Sequence, residues 1–186
     1  MKLEFKHQTR DELKPFMTAA FKKSLEPSLI CEIDDIAGEN SGYSELKKNL
    51  FASQKRLDLG LYVDDKQVGS FMGRHIEKGI FRMGTSVILP EYQGQGFYSQ
   101  LLEYVESWVK EEGMWAIDSQ HNPCNSKIIS MKLQKGFFIA GMETTMHIGN
   151  VVKLIKFLDK KHEDMFKFRN GFIHPNEYAK RLLELK

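Results

Sequence analysis

The sequence predicts an α/β fold, a mixed but mostly antiparallel sheet flanked by helices, and three observations predict it. Strand-like runs separated by tight Asp- and Gly-containing turns fill residues 57–89. The periodicity then switches after Pro90 from two to 3.6 residues, and a strand, a helix and two further strands follow to residue 158. A chain of 186 residues with 41% hydrophobic and 28% charged side chains can bury a core of its own, so one domain spanning 1–186 is expected.

Leu3 and Phe5 alternate with polar neighbours as a first strand. Leu13, Phe16, Met17, Ala20, Phe21 and Leu25 recur at helical spacing, with Thr9 and Glu12 placed as a capping box. Pro15 fits best if this helix starts at Asp11, which brings the missing N–H close to the first turn. Residues 26–43 read as a long surface connection, and Glu32, Asp34 and Asp35 form an acidic patch in it that is read as solvated. A second helix is expected over 43–56, then strands over 57–63, 67–76 and 80–89. Tyr98, Leu101, Leu102, Val105, Trp108 and Val109 line a helix that Gly113 stops. A buried strand over 114–119, a helix over 125–135 ending on Gly136, strands over 137–148 and 151–158, and two short helices complete the order.

Charge and patterning exclude several functions. A net charge of +2 is too small for a nucleic-acid-binding face, and lysines interrupt the most apolar window, 151–158, so no membrane span is expected. The first residues alternate charge with apolarity and lack the apolar run of a secretory signal; a cytoplasmic location with Cys31 and Cys124 reduced follows. The histidines show no metal-ligand spacing, and no metal is expected.

Residues 87–99, VILPEYQGQGFYS, place a strand end, a Gly-rich turn and a helix start in succession. Gly94 and Gly96 permit a tight turn and close backbone approach, while the free N–H groups and dipole of the helix start favour a pyrophosphate. A nucleoside-triphosphate loop requires Lys and Ser or Thr where Phe97 and Tyr98 stand. A dinucleotide fingerprint, Gly94-x-Gly96-x-x-Ser99 with Asp118 as the ribose acid, lacks its third glycine and follows an antiparallel meander; an NAD(P)-dependent oxidoreductase is the runner-up enzyme.

Val87-x-x-Pro90-x-x-Gln93-x-x-Gly96-x-Tyr98 resembles the acetyl-CoA motif of the GNAT superfamily of N-acyltransferases, and Asn125, Ile128, Ile129, Met131 and Gly136-Phe137 resemble its second motif. The resemblance covers about 57–158, the expected cofactor-binding core, with 159–186 a C-terminal helical extension. It implies a sheet splayed at the cofactor site and acetyl-CoA as acyl donor, with the backbone of Val87, Ile88 and Leu89 pairing with its pantetheine arm. Gln93, Gly94, Gln95, Gly96, Phe97, Tyr98 and Ser99 would hold the pyrophosphate, and Asn125 would reach the arm.

Against the family pattern, Tyr98 stands where a small residue is usual, Arg82 where some members carry a glutamate base, and Lys132 where many carry a tyrosine acid. Lys132 reads most simply as a surface lysine, though its ammonium could protonate a thiolate. His121 has the intrinsic pKa of a general base and reads equally as a loop histidine; Glu143 and His75 are weaker candidates, and Cys124 is a conceivable nucleophile. The implied reaction is direct attack of a small-molecule or peptide amine on the thioester. A non-catalytic acyl-CoA-binding regulatory module is the alternative of another class. The sequence specifies neither the amine nor the oligomeric state.

Overall fold

The protein is described from a computed structural model, which covers residues 2–24, 49, 53–145 and 149–184. Cys31, the acidic patch at Glu32, Asp34 and Asp35, and most of the expected 43–56 helix lie outside the described residues; of that helix's end, residues 53–55 are turn and coil, and Arg56 already opens a strand.

Among the described residues seven strands form one sheet in the order β1-β2-β3-β4-β5-β7-β6. β1 is Leu3–His7, β2 Arg56–Val63, β3 Lys66–Glu77, β4 Ile80–Ile88, β5 Ala116–His121, β6 Phe138–Thr145 and β7 Gly149–Phe157. Every neighbouring pair is antiparallel except β4 with β5, so the expected mixed sheet is observed. Asp64 and Asp65 take φ of 49° and 61°, and Lys78 and Gly79 take 50° and 74°, the positive values that two-residue hairpins need to match strand twist.

Helix α1 spans Arg10–Ser24, one residue earlier than expected. Its capping box forms: the Glu12 carboxylate accepts from the Thr9 N–H at 2.6 Å, and the Glu12 N–H donates back to Thr9 Oγ1 at 3.3 Å. Pro15 consequently lies in the second turn, where the Asp11 carbonyl would have received its N–H; both residues are exposed, and water can serve that carbonyl.

Helix α2, Phe97–Glu111, packs Leu101, Leu102, Val105 and Val109 onto one face of the sheet against Phe81, Ile117 and Leu154. All seven are fully buried, each contributing about 1.5–3 kcal/mol of apolar burial. α1 covers the opposite face, where Ala20 meets Val87 and Leu89. Gly113, at φ 72°, ends α2, and Met114 donates its N–H to the Val109 carbonyl. That bond serves the helix end, so β5 begins at Ala116 instead of Met114. Helix α3 is Ser126–Gln134, and α4 (Lys160–Arg169) and α5 (Pro175–Glu184) follow β7. Among the described residues no helix is long and apolar enough to cross a membrane.

Candidate active site

The parallel pairing of β4 with β5 is short. Residues 80–83 pair with 116–119, and β4 then runs on to Ile88 with no partner on that side among the described residues. The cause is local. The β3–β4 register shifts between Met72 and Gly73, which leaves Gly84 as the extra residue of a bulge directly after the last pair, Met83 with Ser119. A bulge bends and twists its strand, and β4 leaves β5 there. A Cβ on Gly84 would stand 2.9 Å from the Met72 carbonyl oxygen, so the bulge requires glycine.

Beyond the bulge Val87, Ile88 and Leu89 are buried. The Leu89 N–H donates to the Val68 carbonyl at 2.9 Å, toward β3. By strand alternation Ile88 turns its backbone to the open side, where its carbonyl accepts from Gln93 Nε2 at 2.8 Å. Gln93 thus ties the loop to the end of β4, and Gln95 tightens the loop by donating to the Glu91 carbonyl at 3.1 Å.

Gly94 and Gly96 hold φ of 75° and 79°, and nothing lies within 4 Å of where a Cβ would project from either. This open cradle faces a bare helix end. Gly96 caps α2 without a side-chain bond, and the first intrahelical bond runs from the Gln100 N–H to the Gly96 carbonyl, which leaves the N–H groups of Phe97, Tyr98 and Ser99 without helical acceptors. The Phe97 side chain is 4% exposed and anchors the loop in the core. Tyr98 points inward; burial pushes its phenol up to about 12, with a Ser86 hydrogen bond acting the other way. The phosphate side of the loop is therefore free of the ring.

At the fork of the splay lies Lys132. Far from being a surface residue, it is 0% exposed, because α3 turns this side chain toward the end of the β4–β5 pairing. Its Nζ donates to Ser119 Oγ at 2.5 Å and lies 3.4 Å from Met83 Sδ, with the Phe137 and Tyr98 rings at 5.1 and 5.9 Å. Burial drives its pKa down from the usual lysine value to about 7, while the Asp118 charge acts in the opposite direction. Ser119 Oγ is also 2.8 Å from His121 Nε2. Burial first, and then the Lys132 charge, lower the His121 pKa to about 4, so this imidazole is neutral at neutral pH and a weak base.

The other expected residues are not brought into this group. Asn125 is exposed and makes no side-chain cap bond; only its carbonyl serves α3, accepting from the Ile129 N–H. Glu143 accepts from Gln120, His75 stands opposite Phe81 at the paired end of β4, and Cys124 is exposed. Arg82, 2.5 Å from Asp118, locks that carboxylate with Lys153 at 3.5 Å. Asp118 is 1% exposed, which removes it as the ribose ligand of a dinucleotide site. Ser119 is the residue that sequence reasoning missed; its signal was the two-residue spacing from His121, which puts both side chains on one face of β5.

The description Acetyltransferase (GNAT) family matches residues 13–128. Solved structures share the fold at low identity. The ribosomal-protein-S18-alanine N-acetyltransferase of Escherichia coli aligns at TM-score 0.62 and 14% identity, over 85% of this chain and 95% of that one. A GNAT-family acetyltransferase of Streptococcus pneumoniae aligns at 0.61 and 18%, over 85% and 100%. The PaiA N-acetyltransferase of Thermoplasma acidophilum, in complex with coenzyme A, aligns at 0.59 and 18%, over 84% and 99%. No curated protein matches the sequence.

Proposed function

The chain belongs to the acetyltransferase (GNAT) family, and from that premise we propose that it transfers an acetyl group from acetyl-CoA to a primary amine by direct attack on the thioester. One observation carries the reading: the open edge of β4 beyond Met83 leads, through the single 3-10 turn Pro90–Tyr92, into the Gly94–Gly96 cradle and the bare N-terminus of α2. An extended arm ending in a pyrophosphate fits that arrangement. The β4 edge offers strand-like backbone pairing through the Ile88 N–H, its carbonyl being engaged by Gln93, and the N–H groups of Phe97, Tyr98 and Ser99 offer donors to phosphate oxygens. Gln93, Gln95 and the two glycines shape the turn, and Asn125 stands exposed at the start of α3, within the second motif.

In this reading 1–186 is one acyltransferase domain, supported by a single sheet that runs from Leu3 to Phe157. The fold positions two substrates, and much of the rate comes from that positioning and from backbone donors aimed at the carbonyl oxygen. Arg82 is committed to Asp118, so the amine must reach the site neutral or lose its proton to water or to His121.

Calorimetric titration with acetyl-CoA and with NADH, on wild type and Gly96→Glu, tests the reading. Acetyl-CoA binding that disappears in the variant supports it, and a screen of small and peptide amines then identifies the acceptor. Absence of acetyl-CoA binding refutes it. Binding without turnover over the whole amine panel would favour a regulatory acyl-CoA module.

A further inference from the structure

We propose that the Lys132 ammonium is the proton donor to the thiolate that leaves when the thioester is cleaved, and that Ser119, backed by His121, is its positioning residue. This rests on the acyl-transfer reading above and names the acid within it.

The geometry singles out Lys132. It is fully buried at the fork where β4 and β5 part, which is where an arm lying along the open β4 edge would end. Lysines ordinarily reach water with their heads, and a buried ammonium is ordinarily ion-paired. Here no ion pair involves Lys132 among the described residues. The groups that face it are known from each packed element: Ser119 and Asp118 from β5, Met83 from β4, Tyr98 from α2, Phe137 just after α3, and His121 beyond Ser119. Asp118 is engaged by Arg82 and Lys153, so the nearest carboxylate is already neutralised. A second anion arriving at the fork would meet an ammonium held only by Ser119 Oγ and Met83 Sδ, with no counterion of its own among the described residues.

Ser119 Oγ accepts from Lys132 and can pass its own proton to His121 Nε2, which fixes the lone pair that holds Nζ in place. Tyr98 is a poorer candidate: its phenol is pushed up to about 12 and is bonded to Ser86. Lys132, at about 7, is a stronger acid than an ordinary thiol of about 8.5, so the transfer runs downhill.

The step balances. The amine nitrogen forms a bond to the carbonyl carbon, the C–S bond breaks with its electron pair passing to sulfur, and a proton moves from Nζ to sulfur. The attacking amine gives up one proton to solvent. Neutral Lys132 regains a proton from solvent once the product CoA has left.

CoA with its free thiol tests this without knowledge of the acceptor. The thiol is titrated on the protein by the ultraviolet absorbance of its thiolate, with CoA affinity measured by calorimetry. On wild type, bound CoA should be more acidic than free CoA by about tenfold, which still leaves its thiol a weaker acid than Lys132 at about 7. Lys132→Met should abolish the difference with affinity held within about threefold, Ser119→Ala should reduce it, and Ser119→Thr should restore it. In wild-type protein labelled at the lysine ε carbons, the Lys132 titration midpoint should rise with CoA and less with desulfo-CoA, a result that needs no substitution. Equal thiol titration on wild type and Lys132→Met, or equal midpoints with CoA and desulfo-CoA, would overturn the proposal while leaving the donor reading standing. Failure of wild type to bind CoA would overturn the donor reading and this proposal together.

Discussion

Replacing Lys132 by methionine should make the protein more stable near neutral pH, and the size of the gain follows from its burial. The side chain is 0% exposed, and its pKa falls from 10.5 to about 7 on folding. That gap corresponds to about 5 kcal/mol. Below about pH 7 the lysine is charged in both states, and the fold carries the whole penalty. Between about 7 and 10.5 the unfolded chain binds more protons than the folded one, so stability rises with pH, by at most about 1.4 kcal/mol per pH unit. Above that window the lysine is neutral in both states and the penalty is gone. Methionine, similar in length and apolar, removes the slope altogether and fills the space beside Met83 and Phe137. Urea unfolding of wild type and variant at about pH 7 and about pH 9 reads the difference directly: the variant's advantage should shrink by about 2–3 kcal/mol across that interval. Parallel pH dependences would refute the claim that Lys132 is buried with a lowered pKa.

Gly84→Val would drive a Cβ against the Met72 carbonyl oxygen at 2.9 Å; we expect a stability loss of about 1–3 kcal/mol by urea unfolding, and acetyl-CoA affinity weakened at least about tenfold by calorimetry. Asp118→Ala leaves the half-buried Arg82 without its carboxylate, which should destabilise by about 3–5 kcal/mol, with partial recovery in the Asp118→Leu, Arg82→Met double variant. Thr9→Ala removes the α1 cap and should cost about 1 kcal/mol in the same assay. In an amine assay the alkaline limb should follow Lys132: activity that depends on its ammonium is present below about 7 and is lost as pH rises through that value, and the limb disappears in Lys132→Met.

What the sequence made legible was whatever its local chemistry determines. The hairpin turns at Asp64-Asp65 and Lys78-Gly79, the capping box of α1 and the Gly94–Gly96 loop are written in contiguous residues, and each is found where those residues place it. The burial of Lys132 is illegible for the opposite reason. The partners that bury it, Ser119, Met83 and Phe137, come from β5, β4 and the turn after α3, and no window of sequence contains them together. The same holds for Asp118, whose acidic side chain is engaged by Arg82 and Lys153 from neighbouring strands and is not open to a ribose. Boundaries slipped where a neighbour claimed a backbone group. The apolar pattern extends the strand to Met114, whose N–H closes α2, and the helical pattern extends to Arg56, which pairs opposite Arg74 in the sheet.

The shortness of the β4–β5 pairing has a mechanical consequence. Among the described residues seven strands share one sheet, yet β1 to β4 and β5 to β7 are joined within it by only the four register pairs of residues 80–83 with 116–119. Across its width the sheet therefore resembles two plates held by a narrow seam, with a slot opening from the seam's end. A molecule lying in that slot bridges both plates like mortar, and hydrogen exchange in β5 and β7 should slow more on its arrival than exchange in β1 and β2, which are on the far side of the wider plate.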